Sequence, residues 1–220
     1  MNIEKARFNM IEQQIRPWDV LDQDVLELLM VVKREAFVPA AYKSLAFSDT
    51  EIPLTGGEYM FAPKMEARIL QEIAVKKHEN VLEIGAGSGY MAALLAYKAR
   101  HVITVEIDPL LKEFAQKNLA GYGVSNVDVA LGNGAQGWAN NGTKEAYDAI
   151  VISGSLPVLP DSFLQQIKVG GRIFAIVGET PVMEAQLITR TSETAYNTIK
   201  IFETDVKPLR EAIVPSRFVF

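Results

Sequence analysis

Between Asn80 and Glu106 the chain sets out an acid, three glycines at alternate positions and a second acid: Glu83, then Gly85, Gly87 and Gly89, then Glu106. Glycine at a turn permits backbone angles that other residues avoid and lets a ligand come close to the main chain. Glu106 closes an apolar run about twenty residues beyond the glycines, where a dinucleotide fold places the acid that accepts hydrogen bonds from a ribose. The chemistry on offer is the binding of a ribose-bearing ligand.

The flanking pattern supplies the elements that must position these residues. Residues 81–84 are apolar apart from one acid, and good helix formers run from Met91 to residue 97, so the order reads strand, glycine turn, helix. A helix start presents unpaired N–H groups and a partial positive charge, which makes the carboxyl end of the strand a binding crevice. A second strand spans residues 101–106. Asp108-Pro109 reads as a cap with proline at the first helical position, and Gly121 or Gly123 ends that helix. Strands follow at 127–131, 147–152 and 171–177, and two more, at 186–190 and 197–202, have no helix between them. This alternation predicts an α/β fold: a doubly wound, mostly parallel seven-stranded sheet with an antiparallel pair at one edge. Gly85 to Gly89, Glu106, Asn133 and Ser153 all fall just after successive strands, and in such a sheet those positions line one crevice.

The first third of the chain predicts a helical extension. Apolar spacing over residues 3–16 reads as a helix stopped by Pro17, and Asp22 caps a second helix carrying Val25, Leu26, Leu28, Leu29 and Val32. Residues 46–63 lack periodicity; Phe47, Tyr59, Met60 and Phe61 there either line a pocket or pin a loop to the core. Helix formers resume over 64–75. No flexible linker follows, so residues 1–78 are expected as an extension with a substrate-side loop, packed on a ligand-binding domain over 79–220.

Composition narrows the function. The chain of 220 residues has no cysteine, which excludes a disulfide framework, a thiolate metal site and a cysteine nucleophile. A net charge of −5 gives no general attraction to nucleic acid or to an anionic membrane. The opening residues lack the apolar core of a signal peptide and no later run reaches the length of a membrane span, so a cytoplasmic protein is expected. His78 and His101 are the only histidines and read as strand or loop edges, no His/Asp/Glu cluster has metal-ligand spacing, and Trp138 and Tyr147 read as packing residues. Two ligand classes remain open, dinucleotides and S-adenosylmethionine, because G-x-G-x-G runs from Gly85 while G-x-G-x-x-A runs from Gly87 to Ala92.

The run Glu83-Ile84-Gly85-Ala86-Gly87-Ser88-Gly89-Tyr90 resembles the first motif of class I methyltransferases, and most closely that of protein-L-isoaspartate O-methyltransferases. The likeness extends to Met10-Ile11-Glu12-Gln13-Gln14-Ile15, Arg34-Glu35-Ala36-Phe37-Val38-Pro39, Ala62-Pro63-Lys64-Met65, Gly132-Asn133-Gly134, Tyr147-Asp148-Ala149-Ile150 and Gly170-Gly171-Arg172. It implies S-adenosylmethionine as cofactor and, as acceptor, a protein or peptide carboxylate, the α-carboxylate of an L-isoaspartyl residue in damaged protein. Carried over position by position, Glu83, Gly85, Ala86, Gly87 and Gly89 hold the methionine portion, Glu106 with Ile107 the ribose, and Asn133 with Gly134 the adenine. Two positions depart from the family pattern. Asn133 stands where aspartate is usual. Tyr59-Met60-Phe61 replaces Thr-Ile-Ser, so Phe61 occupies the position of a serine whose hydroxyl lies at the reacting carboxylate, and no catalytic side chain is assigned. A changed methyl acceptor, or an inert cofactor-binding protein, is the alternative that Phe61 opens.

Overall fold

The structure is a computed structural model and describes residues 2–138 and 146–214. Asn2 caps helix α1 (Ile3–Met10) by accepting a hydrogen bond from the Lys5 amide, but the α-helix ends well short of the expected residue 16. The chain widens into a π turn over Ile11–Ile15, tightens into a 3-10 turn over Arg16–Trp18 and leaves at Asp19, where φ is 58°. Pro17 has no N–H with which to continue the ladder, and this path leaves Met10, Ile11 and Ile15 all buried. Helix α2 (Gln23–Val31) starts where the sequence predicts. The Asp22 side chain accepts from the amides of Asp24 and Val25, two donors that a helix start otherwise leaves open.

The aperiodic stretch contains a short antiparallel pair, β1 (Ile52–Pro53) and β2 (Tyr59–Met60), which close around a 3-10 turn at Thr55–Gly57. Helix α3 (Pro63–Ile73) follows, with proline at its first position, and buries Met65, Ile69, Leu70 and Ile73. Arg172 ties the end of α3 to the sheet: it donates to the carbonyls of Ile73 and Ala74 and pairs with Glu79 at 2.7 Å.

Strands β3 (Asn80–Ile84), β4 (His101–Glu106), β5 (Val127–Leu131), β6 (Tyr147–Leu156) and β7 (Ile167–Glu179) are parallel, and β8 (Val182–Arg190) and β9 (Tyr196–Thr204) add the antiparallel edge. The order β5-β4-β3-β6-β7-β8-β9 gives the expected seven-stranded sheet. Helices α4 (Tyr90–Lys98), α5 (Pro109–Tyr122) and α6 (Asp161–Gln166) lie between parallel strands. Asp108 caps α5 by accepting from the Leu110 and Leu111 amides, and Gly123 closes it with φ of 80°. Strands β6 and β7 outrun their sequence patterns. Beyond Ile152 the run is broken by Ser153-Gly154, yet β6 continues because Ser155 pairs with a distant segment: its amide donates to Lys207 O and its carbonyl accepts from Leu209 N.

Alternation along β3 sends Val81 into a core shared with helices α1 to α5, and Leu82 and Ile84 into a second core with Phe163 of α6. Burial on both faces explains why the strand reads as a nearly continuous apolar run. Met10, Leu29, Phe37 and Ile69 share the first core with the sheet, so residues 2–78 pack on it directly; each such side chain adds roughly 1.5 to 3 kcal/mol of burial. The strand order turns back at β3, with β4 and β5 to one side and β6 and β7 to the other. Such a switch point opens a crevice beyond the carboxyl ends of the strands. Among the described residues no helix is long and apolar enough to cross a membrane.

Candidate active site at the strand ends

At the end of β3 the chain turns through Gly85, whose φ is 95°; a Cβ there would stand 3.0 Å from the carbonyl oxygen of Ser153. Only glycine keeps this backbone against the end of β6 without strain and leaves the space in front of it open. Gly89 has a φ of 81° for a different reason. Its Cβ would meet the Ala115 carbonyl oxygen at 3.1 Å, so Gly89 lets α4 pack on α5 and does not line the crevice. It stands apart from the rest of the expected set.

Glu106 closes β4 and is only 5% exposed. One carboxylate oxygen accepts from the Gly87 amide at 2.9 Å and the other from the Asp108 amide at 3.0 Å. The acid is thereby locked to both the glycine turn and the start of α5. A carboxylate has about four acceptor sites, so two such bonds leave capacity for a diol. Behind the turn, Glu83 is fully buried and accepts from the Thr104 hydroxyl at 2.6 Å and the Ser153 hydroxyl at 3.0 Å. Burial pushes the Glu83 carboxyl up to about 8, against the pull of those two hydroxyls, and the neighbouring Glu106 adds to the rise. At neutral pH Glu83 is therefore chiefly a neutral acid, and in that state one of the two hydroxyls accepts from the carboxyl O–H.

These groups surround a hollow of about 750 Å³, counted out to its open mouth, with Gly85, Gly87, Glu106, Ile107, Asn133 and Gly134 on its walls. A smaller hollow adjoins it behind Tyr59 and Phe61, and Glu83, Ala86 and Glu66 line that one. Asn133 is held at both ends of its amide: Oδ1 accepts from the Ala135 amide at 2.8 Å and Nδ2 donates to Glu211 at 2.7 Å. Gly134 is backed by Ile84 and Val105, which a Cβ would overlap at 2.8 Å and 3.3 Å.

Sequence reasoning missed the cover of the crevice. Lys207, Leu209 and Arg210 cross its mouth after the last strand. Arg210 donates to Glu58 at 2.7 Å and to Asp108 at 3.1 Å, and Lys207 donates to Glu58 at 2.8 Å, so the β1–β2 loop and the C-terminal segment are clasped together over the hollow. No sequence signal was available: Lys207 and Arg210 lie 149 and 152 residues beyond Glu58, and nothing local joins them. Other polar and aromatic side chains lie elsewhere. His101 sits at the far end of β4 beside Asp128, and Asp49 pairs with Lys64 at 2.8 Å. Trp138 packs against Gly132, and its carbonyl accepts from the Tyr147 hydroxyl. Among the described residues no group of three His, Asp or Glu side chains is placed to hold a metal ion.

Comparison with known proteins agrees with this geometry. The chain is 37% identical over 185 residues to a protein-L-isoaspartate O-methyltransferase of Herpetosiphon aurantiacus, covering 84% of this chain and 80% of the relative. It is 36% identical over 201 residues to one of Rhodopseudomonas palustris, covering 91% of each. In fold it matches a beta-aspartate methyltransferase (PCMT) structure from Plasmodium falciparum in complex with S-adenosyl-L-homocysteine, with a TM-score of 0.81, 20% identity and coverage of 96% of this chain and 99% of that one. The family model for protein-L-isoaspartate(D-aspartate) O-methyltransferase matches residues 5–207, and the chain belongs to that family.

Proposed function

We propose that this protein transfers a methyl group from S-adenosylmethionine to the α-carboxylate of L-isoaspartyl residues in damaged protein. The single observation that carries the reading is the convergence of Gly85, Gly87, Glu106, Asn133 and Gly134 on one hollow at the switch point of the sheet. Gly85 lines that hollow with a left-handed backbone that a side chain would strain, and a Cβ there would press on the Ser153 carbonyl. In this reading Glu106 accepts from the ribose hydroxyls, Ile107 packs beside them, Asn133 and Gly134 face the adenine, and Gly85, Ala86, Gly87 and Glu83 border the methionine portion.

When bound, S-adenosylmethionine supplies a methyl group on a positively charged sulfur that leaves as a neutral thioether. The acceptor is already an anion near neutral pH, so the protein needs no general base. Its task is to align the acceptor oxygen and keep water out. Apolar Phe61 and Leu209 at the walls, and the Glu58–Arg210 clasp over the mouth, perform the second part. A cytoplasmic location belongs to the same proposal.

Phe61 favours a second reading, a different methyl acceptor, because its side chain offers an incoming carboxylate no hydrogen bond. The test is incubation of the purified protein with methyl-labelled cofactor and a peptide carrying either isoaspartate or ordinary aspartate. Base-labile label is expected on the isoaspartyl peptide alone. Label that appears only on species from an added cell extract contradicts the isoaspartyl acceptor and supports the second reading.

A further inference from the structure

The smaller hollow contains a group that the mechanism has not used. Glu66 on α3 is 2% exposed and lines the hollow with Tyr59, Phe61 and Ser153. Its Oε2 accepts from Arg34 Nε at 2.9 Å, whereas no hydrogen bond reaches Oε1 from any described residue. This oxygen is not one of the fully enclosed side-chain atoms without a partner, which among the described residues are Arg7 Nε, Gln14 Oε1 and Glu35 Oε2; Glu66 instead borders the hollow, where a ligand atom fits. Arg34 also donates to the carbonyls of Ala46 at 2.7 Å and Phe61 at 2.6 Å. The second of these bonds pins the Phe61 backbone beside the Glu66 carboxyl. The missing hydroxyl of position 61 and the unpartnered oxygen of Glu66 thus belong to the same corner.

Resting on the methyltransferase reading above, we propose that Glu66, through Oε1–H, donates to the acceptor carboxylate the hydrogen bond that Phe61 cannot give. A protonated carboxyl has one donor and keeps acceptor capacity on its other oxygen. Glu66 can therefore hold Arg34 through Oε2 while Oε1–H points to the acceptor. The Arg34–Glu66 pair then carries one net positive charge and attracts an anion. Without the proton the pair is neutral and Oε1 turns lone pairs toward the acceptor, anion against anion. No proton moves in the step itself: the bond from sulfur to methyl breaks, the bond from methyl to acceptor oxygen forms, and Glu66 keeps its hydrogen.

The groups that face Glu66 support this state. Arg34 reaches it from the 3-10 turn before Phe37, Glu83 from β3 and Tyr90 from α4. Burial pushes Glu66 up to about 7, more than the attraction of Arg34 pulls it down. Tyr90, fully buried with its hydroxyl donated to the Val32 carbonyl, stays neutral. Because the protonated form is the useful one, acceptor binding weakens as pH rises through about 7. Deprotonation of the acceptor sets the acid limb, and the profile is a bell.

The test is kcat/KM for an isoaspartyl peptide from about pH 5.5 to 8.5, with Glu66→Gln and Glu66→Ala beside the parent and cofactor affinity measured by calorimetry on all three. The parent is expected to lose about tenfold per pH unit on the alkaline limb. Glu66→Gln keeps an amide donor at every pH and is expected to level that limb while staying within about tenfold of the parent at low pH. Glu66→Ala is expected to lose at least about tenfold at low pH, mainly through KM for the peptide. Cofactor affinity should stay within about threefold in both variants, which reports an intact fold. An alkaline limb that persists unchanged in Glu66→Gln overturns the proposal and assigns the limb to another group, with Glu83 the nearest. If all three proteins bind cofactor but label no isoaspartyl peptide at any pH, the acceptor reading fails and the role of Glu66 falls with it.

Discussion

Replacing Glu106 by alanine is expected to weaken S-adenosylmethionine binding by roughly 2 to 3 kcal/mol, about 30- to 150-fold. Two losses combine. The ligand loses a charged acceptor, and the amides of Gly87 and Asp108 lose the partner that fixes the glycine turn to the start of α5. Calorimetric titration of the variant, with a thermal melt to show that it is folded, provides the check. An affinity equal to the parent's removes Glu106 from the binding site and leaves it a turn-holding residue.

The second large effect concerns stability against pH. Folded Glu83 keeps its proton up to about 8, whereas an unfolded glutamate releases it near the ordinary value of 4.5. Between those values the native state binds more protons than the unfolded state, so stability falls as pH rises, by about 1.4 kcal/mol per unit for one group. Glu66, pushed up to about 7, acts in the same sense over a narrower window. Glu79 and Asp148 act in the opposite sense. Burial raises both, but Arg172 on the first, and the Asn80 amide with Lys168 on the second, hold them below the usual range, so their contribution is lost only in stronger acid. From about pH 5.5 to 8 the parent is expected to lose several kcal/mol, and Glu83→Gln to lose roughly 3 kcal/mol less than that. Urea unfolding at the two pH values measures it. Equal stability of the parent at both means that Glu83 is ionised in the fold.

The sheet and most of the crevice were legible in the sequence because their signals are local. Apolar runs that end in Glu106, Asn133 and Ser153, and the Asp108-Pro109 cap, each state the end of an element within a few residues. What was not legible depends on partners far along the chain. The extension of β6 needs Lys207 and Leu209 beside Ser155, and the clasp over the mouth joins Glu58 to Arg210. Gly89 stands apart from the hollow, because a left-handed turn demands glycine whether the neighbour is a ligand or, as here, the carbonyl of Ala115. Nothing in the sequence near Glu66 marks it as buried; its partner Arg34 lies thirty-two residues earlier.

That an adenosyl ligand occupies the hollow between Gly85, Glu106 and Asn133 is tested most directly by titrating the purified protein with S-adenosylmethionine and, separately, with NAD in a calorimeter. One saturable site for S-adenosylmethionine and no heat with NAD is the predicted result. A site for NAD with none for S-adenosylmethionine would contradict the account.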